Sequence, residues 1–255
     1  MVVVEVTGCA ARRRELGACL RAYRQMIGPA EVGLPGGARR RTPGLRREEV
    51  ASLAGVGLSW YTWLEQGRIT ASGHVLDAVG RVLRLDAAGR GHLQALSESP
   101  GPPPAPVDVA GLVPLLESWA ASPAVLLDHR LDVLAANRTW AGLFGDPWER
   151  DPLRRNLLWL LAAESPAALG EADSLVRALG RRFRMAANMH AGDARVAEIG
   201  ALLRAEAPEH GPLWDCRGVG AFGTHDVVTA GLPARAHLMS PGEHPCAAVL
   251  VLVPA

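Results

Sequence analysis

The sequence predicts a mainly α chain in two domains, an N-terminal five-helix helix-turn-helix bundle and a C-terminal α+β domain with an antiparallel sheet. Three observations carry this. Residues 1–99 place apolar side chains at helical spacing in five short stretches. Pro100-Gly101-Pro102-Pro103-Pro104-Ala105-Pro106 can neither continue a helix nor pair in a sheet, because proline fixes φ and lacks an N–H. Beyond it, strand-like runs flank a helical middle, the pattern of an α+β domain. The expected boundaries are therefore 1–99, a stiff linker over 100–106, and 107–255.

The five helices are expected at 12–27, 45–54, 58–66, 75–85 and 87–96, with glycine or polar breaks between them. In the second domain, 123–128 and 131–135 read as two short strands around His129-Arg130, and 138–144 returns to helical spacing. A helical middle runs over 156–205. Residues 227–232 and 247–253 read as strands, the latter apolar enough to be buried on both faces.

Bulk properties exclude several classes. Cys9, Cys19, Cys216 and Cys246 form no CxxC pair and no Cys/His ligand spacing, so neither a disulfide framework nor a metal site is expected. The opening MVVVEVTGCAARRR sets its arginines after the apolar run, the reverse of a secretory signal, and no run of roughly 18 apolar residues exists for a membrane span. A cytoplasmic protein that avoids the membrane is the expectation. No P-loop, HExxH or GxSxG pattern is present and the eight histidines are scattered, so the reading is of a protein without cofactor or catalytic group.

Charge is uneven along the chain. Residues 1–99 hold 14 arginines against 9 acidic residues, and 100–255 hold 13 against 17. A basic N-terminal half asks for a polyanionic partner. Within it, residues 45–68 form two helical stretches meeting at Gly55, which supplies the left-handed backbone that ends the first helix abruptly. Val50, Leu53, Ala54, Val56, Tyr61 and Leu64 fall on the packing side, and Ser59, Trp60, Thr62 and Trp63 on the outward side. In such a unit the second helix enters the major groove of double-stranded DNA and its early side chains meet base edges. Arg46 and Arg47 stand at the N-terminus of the first helix, where positive charge opposes the helix dipole and a bound phosphate would remove the conflict. Arg68 follows the second helix. Arg39-Arg40-Arg41-Thr42-Pro43-Gly44 reads as a basic arm for the DNA backbone or minor groove, with a solvated loop as the alternative. One short recognition helix reads few bases, which points to a homodimer on a palindromic site.

The stretch from Arg39 to Val50, with Tyr61-Thr62-Trp63-Leu64-Glu65-Gln66-Gly67-Arg68, resembles XRE-type transcription regulators of the MmyB-like class, a resemblance that spans about residues 16–96. It continues past the linker through Leu131-Asp132-Val133-Leu134-Ala135-Ala136-Asn137-Arg138 and Arg155-Asn156-Leu157-Leu158. The resemblance implies a PAS-like second domain with a pocket for a fatty acid or other apolar small molecule.

From the residues alone, Trp140, Phe144, Leu157, Trp159, Leu160, Phe183, Met185 and Met189 are the apolar groups that could line such a pocket, or simply fill a core. Arg181-Arg182-Phe183-Arg184 could hold a carboxylate at a pocket mouth or face solvent. Two other readings compete. The second domain could serve only dimerisation or protein contact. Gly218-Val219-Gly220-Ala221-Phe222-Gly223 is a literal GxGxxG, but it lacks the preceding strand and following helix that a dinucleotide-binding loop needs.

Overall fold

The computed structural model describes residues 2–35, 44–98, 107–164, 166–190, 193–211, 222–242, 244 and 246–255, with side-chain burial given from residue 9. The arm residues Arg39, Arg40 and Arg41, the proline run and residues 218–221 lie outside them. The chain forms two compact units, one built on the first five α-helices and the other on the remaining helices and all the strands.

The first unit contains α1 (Val2–Met26), α2 (Arg47–Ala54), α3 (Leu58–Glu65), α4 (Gly73–Val82) and α5 (Ala87–Ser97). All five lie where the periodicity placed them, except that α1 begins ten residues earlier. Its upstream valines and Gly8 have low helix propensity, which hid that turn from a sequence reading. Leu16, Cys19, Leu20 and Tyr23 form the buried stripe of α1. Its approach to α3 is close: a Cβ on Gly17 would sit 2.3 Å from the Glu65 carbonyl oxygen, so only glycine fits there. Asp86 caps α5 by accepting from the Gly89 N–H at 2.7 Å.

His92 on α5 is buried, and burial lowers its pKa to about 4, with Arg12 adding to the drop and Glu15 opposing it. The unfolded chain, whose histidine titrates near 6.5, thus takes up a proton first as pH falls. Stability from this group is complete above pH 6.5 and is lost on the way down to pH 4. At pH 5 the expected loss is about 2 kcal/mol. Urea unfolding of wild-type and His92→Gln protein at pH 7 and pH 5 measures it; a difference between the two that does not change with pH would contradict the assignment.

The second unit holds α6 (Val109–Ser118), β1 (Ala124–Leu127), β2 (Val133–Ala136), α7 (Arg138–Phe144), α8 (Leu157–Trp159, continued by a π turn, Leu160–Glu164), β3 (Leu169–Gly170), α9 (Asp173–Met189), α10 (Ala194–Glu206), β4 (His225–Thr229), β5 (Leu232–Met239) and β6 (Ala248–Pro254). The strands form one six-stranded antiparallel sheet in the order β2-β1-β6-β5-β4-β3. The predicted α+β class holds, with two differences. The strand expected at 227–232 is a hairpin, turning through Ala230 and Gly231, both at positive φ. Helix α6 was not expected, because Pro114 inside it reads as a breaker.

Alternation along β1 and β6 sorts the core. Val125, Leu127, Leu250 and Leu252 face Trp140, Phe144, Leu157, Leu179, Phe183 and Ile199 of the helical layer. Ala124, Leu126, Val249 and Val251 face Leu116 of α6. Two buried asparagines tie these layers. The Asn137 Oδ1 accepts from the N–H groups of Ala124 (3.0 Å) and Trp140 (2.9 Å), while its Nδ2 donates to the carbonyls of Leu116, Trp119 and Ser122. Asn156 caps α8 and donates to the Arg130 carbonyl and the Asp132 carboxylate, both at 2.9 Å. Both residues belong to the stretches quoted above for the resemblance, and here each acts as a hydrogen-bonding junction.

Candidate nucleic-acid interface

Helix α2 ends at Gly55, with φ 69° and ψ 30°, whose N–H bonds back into the last turn. Gly57, with extended φ/ψ, is the N-cap of α3 and offers no side-chain cap. Two residues, Gly55 and Val56, thus separate the last residue of α2 from the cap of α3. Val50, Tyr61 and Leu64 are buried as the packing side requires, and Ala54 and Val56 are half-buried. Leu53, expected to pack, is 42% exposed. It lies on the far edge of α2, where the eight-residue helix leaves it nothing to cover it.

On α3, Ser59 and Trp63 are exposed, the latter at 47%, and Trp60 and Thr62 are half-buried. Leu58, which sequence reasoning passed over, is also exposed. The Thr62 hydroxyl donates to the Leu58 carbonyl at 2.8 Å, so its outward contact is the methyl group. Arg46, Arg47, Leu58 and Thr62 line one open cleft with Arg24 and Glu48. Arg68 is exposed beyond α3, its N–H bonded to the Trp63 carbonyl at 3.0 Å.

The charge conflict at the α2 N-terminus is met within the protein. The Glu49 carboxylate accepts from the Arg46 N–H at 2.6 Å, and the Arg46 guanidinium lies 3.3 Å from Glu48, so two acidic residues of the first turn offset the arginines. Arg47 donates through Nε to Glu65 at 2.7 Å. Glu65 itself has a side chain wholly removed from solvent, and Arg24, 7% exposed, grips both its oxygens while also donating to the Leu45 carbonyl at 2.7 Å. Burial pushes the Glu65 carboxyl pKa up, but hydrogen bonds from Arg24 and Arg47 outweigh it and the net shift is downward. Arg47 therefore has two attachments, one to the core and one to the cleft, where 40% of its side chain remains exposed.

Sequence reasoning missed Arg24 and Glu65 as parts of this surface. A signal was there: Arg24 continues the buried stripe Leu16, Leu20, and Glu65 sits on the same face as Tyr61. Charged residues on an apolar stripe need partners.

In the second unit, Trp140, Phe144, Leu157, Trp159, Leu160 and Phe183 all belong to the helical-side core, the Trp140 and Phe144 rings lying 4.5 Å apart. Met185 is half-buried and belongs to neither core layer, and Met189, also half-buried, groups with the first unit. Of these eight, Phe183 alone lines a described cavity, between α9 and α10. A larger groove of about 700 Å³ lies on the open sheet face beside Trp119, His237, Met239, Val251 and Val253. The remaining two members of the GxGxxG stretch, Phe222 and Gly223, come just before strand β4 rather than a helix. Among the described residues no helix is long and apolar enough to cross a membrane, and no group of three or more His, Cys, Asp or Glu is placed to hold a metal ion.

Comparison with known families decides the class. Residues 15–93 match a family described as "Helix-turn-helix domain", and residues 109–233 match one described as "MmyB-like transcription regulator ligand binding domain". The chain is a helix-turn-helix regulator with an MmyB-like ligand-binding domain. No curated protein matches the sequence. In this MmyB-like regulator the first match covers the buried stripe of α1 through most of α5. The second begins with α6 and ends in the β4–β5 hairpin.

Proposed function

We propose that this regulator is a repressor in which residues 1–99 bind operator DNA as a homodimer, 100–106 act as a stiff linker, and 107–255 sense a small apolar molecule such as a fatty acid. The observation that supports DNA recognition best is the cleft where Arg46, Arg47 and Thr62 meet beside the exposed α3 face. Cations there suit phosphates and the α3 face suits base edges. The experiment is fluorescence anisotropy of the full chain on duplexes from its own promoter region. Failure to bind any of them at low salt would remove the reading.

Ligand sensing predicts coupling. A molecule that favours one arrangement of the two DNA-binding domains changes operator affinity by about 5–150-fold, and operator DNA must change ligand affinity by the same factor. Calorimetry of hexadecanoate with and without operator checks this, after a search for apolar molecules carried through purification. A second reading, that the C-terminal domain serves only dimerisation, draws on the exposed Val113, Leu115, Met239 and Val253. Ligand affinity that operator DNA leaves unchanged would favour it.

A further inference from the structure

The cavity between α9 and α10 has a composition that neither core packing nor DNA binding explains. Its volume is about 200 Å³. Helix α9 contributes Gly180, Phe183, Arg184 and Ala187, which share one face at helical spacing, and α10 contributes Val196, Ala197, Gly200, Leu203 and Arg204, which do the same. Phe183, Val196 and Leu203 are buried and make an apolar floor. Gly180, Ala187, Ala197 and Gly200 keep the slot open, since larger side chains at these places would fill it.

The two arginines give the slot its chemistry. Among the described residues no acidic side chain lines it, and neither the Arg184 nor the Arg204 guanidinium has an ion-pair or hydrogen-bond partner. Most of the protein's other described arginines are engaged; Arg130, Arg150, Arg154 and Arg195 of this same unit each hold a carboxylate. Arg204 folds back along its helix, its Nη2 3.7 Å from where a Cβ on Gly200 would sit, which brings its charge over the slot. Two arginines lining a slot with an apolar floor match a carboxylate head with a short apolar body, because guanidinium binds carboxylate through paired hydrogen bonds.

We infer that this slot binds a compact apolar monocarboxylate, and that this is the ligand to which the second domain responds. The inference rests on the reading of that domain as a small-molecule sensor and narrows it. Size does the narrowing. Pockets for drug-sized ligands run about 300–1,000 Å³, so this one suits roughly ten non-hydrogen atoms, far short of a long-chain fatty acid. Among the described residues that line the larger groove on the sheet face there is no arginine, so it offers no guanidinium to a carboxylate.

The test is calorimetry on the full chain with octanoate and phenylacetate, which have equal numbers of non-hydrogen atoms, and with octanamide and hexadecanoate as comparisons. At least one of the two short carboxylates binds one per chain, and octanamide binds about ten-fold more weakly than octanoate. Arg184→Gln and Arg204→Gln each weaken the carboxylate about ten-fold and leave the amide unchanged. Gly200→Leu fills the slot and abolishes binding. Its new Cβ meets only Arg204, at ordinary van der Waals distance, so the variant folds, and an unchanged melting temperature verifies that. Short carboxylates that fail to bind, or that bind both arginine variants as well as wild type, overturn the assignment. Hexadecanoate bound equally by wild-type and Gly200→Leu protein would overturn this site while leaving a sensing domain. Operator affinity indifferent to every carboxylate would overturn both readings.

Discussion

Replacing Glu65 with leucine is expected to destabilise the N-terminal unit by about 3–5 kcal/mol, because it leaves the Arg24 guanidinium charged and buried without its carboxylate. The number is large because the site is dry: the Glu65 side chain has no exposed surface and that of Arg24 only 7%. A loss of this size is a large fraction of a typical domain's stability of about 5–15 kcal/mol. Urea unfolding followed by helical circular dichroism measures it. The double variant Arg24→Met with Glu65→Leu should recover most of the loss, since an apolar pair of similar volume removes both charges together. Arg47→Ala should be milder, its side chain being 40% exposed. Glu65→Leu with a stability within about 1 kcal/mol of wild type would show that the pair does not hold the unit. The pH dependence follows in sign: hydrogen bonds hold the Glu65 pKa below its unfolded value, so its contribution is complete at neutral pH and is lost as pH falls through the carboxylate range.

Operator binding is expected to weaken steeply with salt. A protein that neutralises six to ten phosphates loses about 10³–10⁵-fold in affinity between 50 and 200 mM salt, through release of condensed counterions. Arg46, Arg47 and Arg68 are described cations beside α3 that keep exposed surface. Variants should divide by role. Arg46→Ala should weaken specific and random duplexes alike and flatten the slope of log affinity against log salt by about one for each phosphate no longer neutralised. Trp63→Ala and Thr62→Ala should change which bases are preferred and leave binding to random DNA nearly unchanged, because their outward groups are apolar and carry no charge to a phosphate. Arg46 separates these effects more cleanly than Arg47, whose removal also strips a partner from buried Glu65. If Arg46→Ala and Trp63→Ala altered specific and random binding in the same proportion, the groove-facing side would have been misassigned.

The sequence by itself determined what depends on neighbours in the chain. Gly55 ends α2 because only a residue free to adopt positive φ turns the backbone there, and the α1 to α5 helices, the α7 helix and strands β1, β2 and β6 follow from the 3.6-residue and two-residue periods of their apolar side chains. The outward exposure of Ser59 and Trp63 was legible for the same reason. What the tertiary structure decided depends on distant partners. Arg24 and Glu65 are 41 residues apart, and only the packing of α1 on α3 turns two surface-type residues into a buried pair that also steadies Arg47. Trp140, Phe144 and Trp159 had the composition of either a pocket or a core, and composition cannot say what they touch; their burial in one cluster with sheet residues such as Val125 and Leu250 was decided by what packs opposite. The slot between α9 and α10 exists only because glycines and alanines of two separate helices face each other, a coincidence of faces that no local pattern encodes.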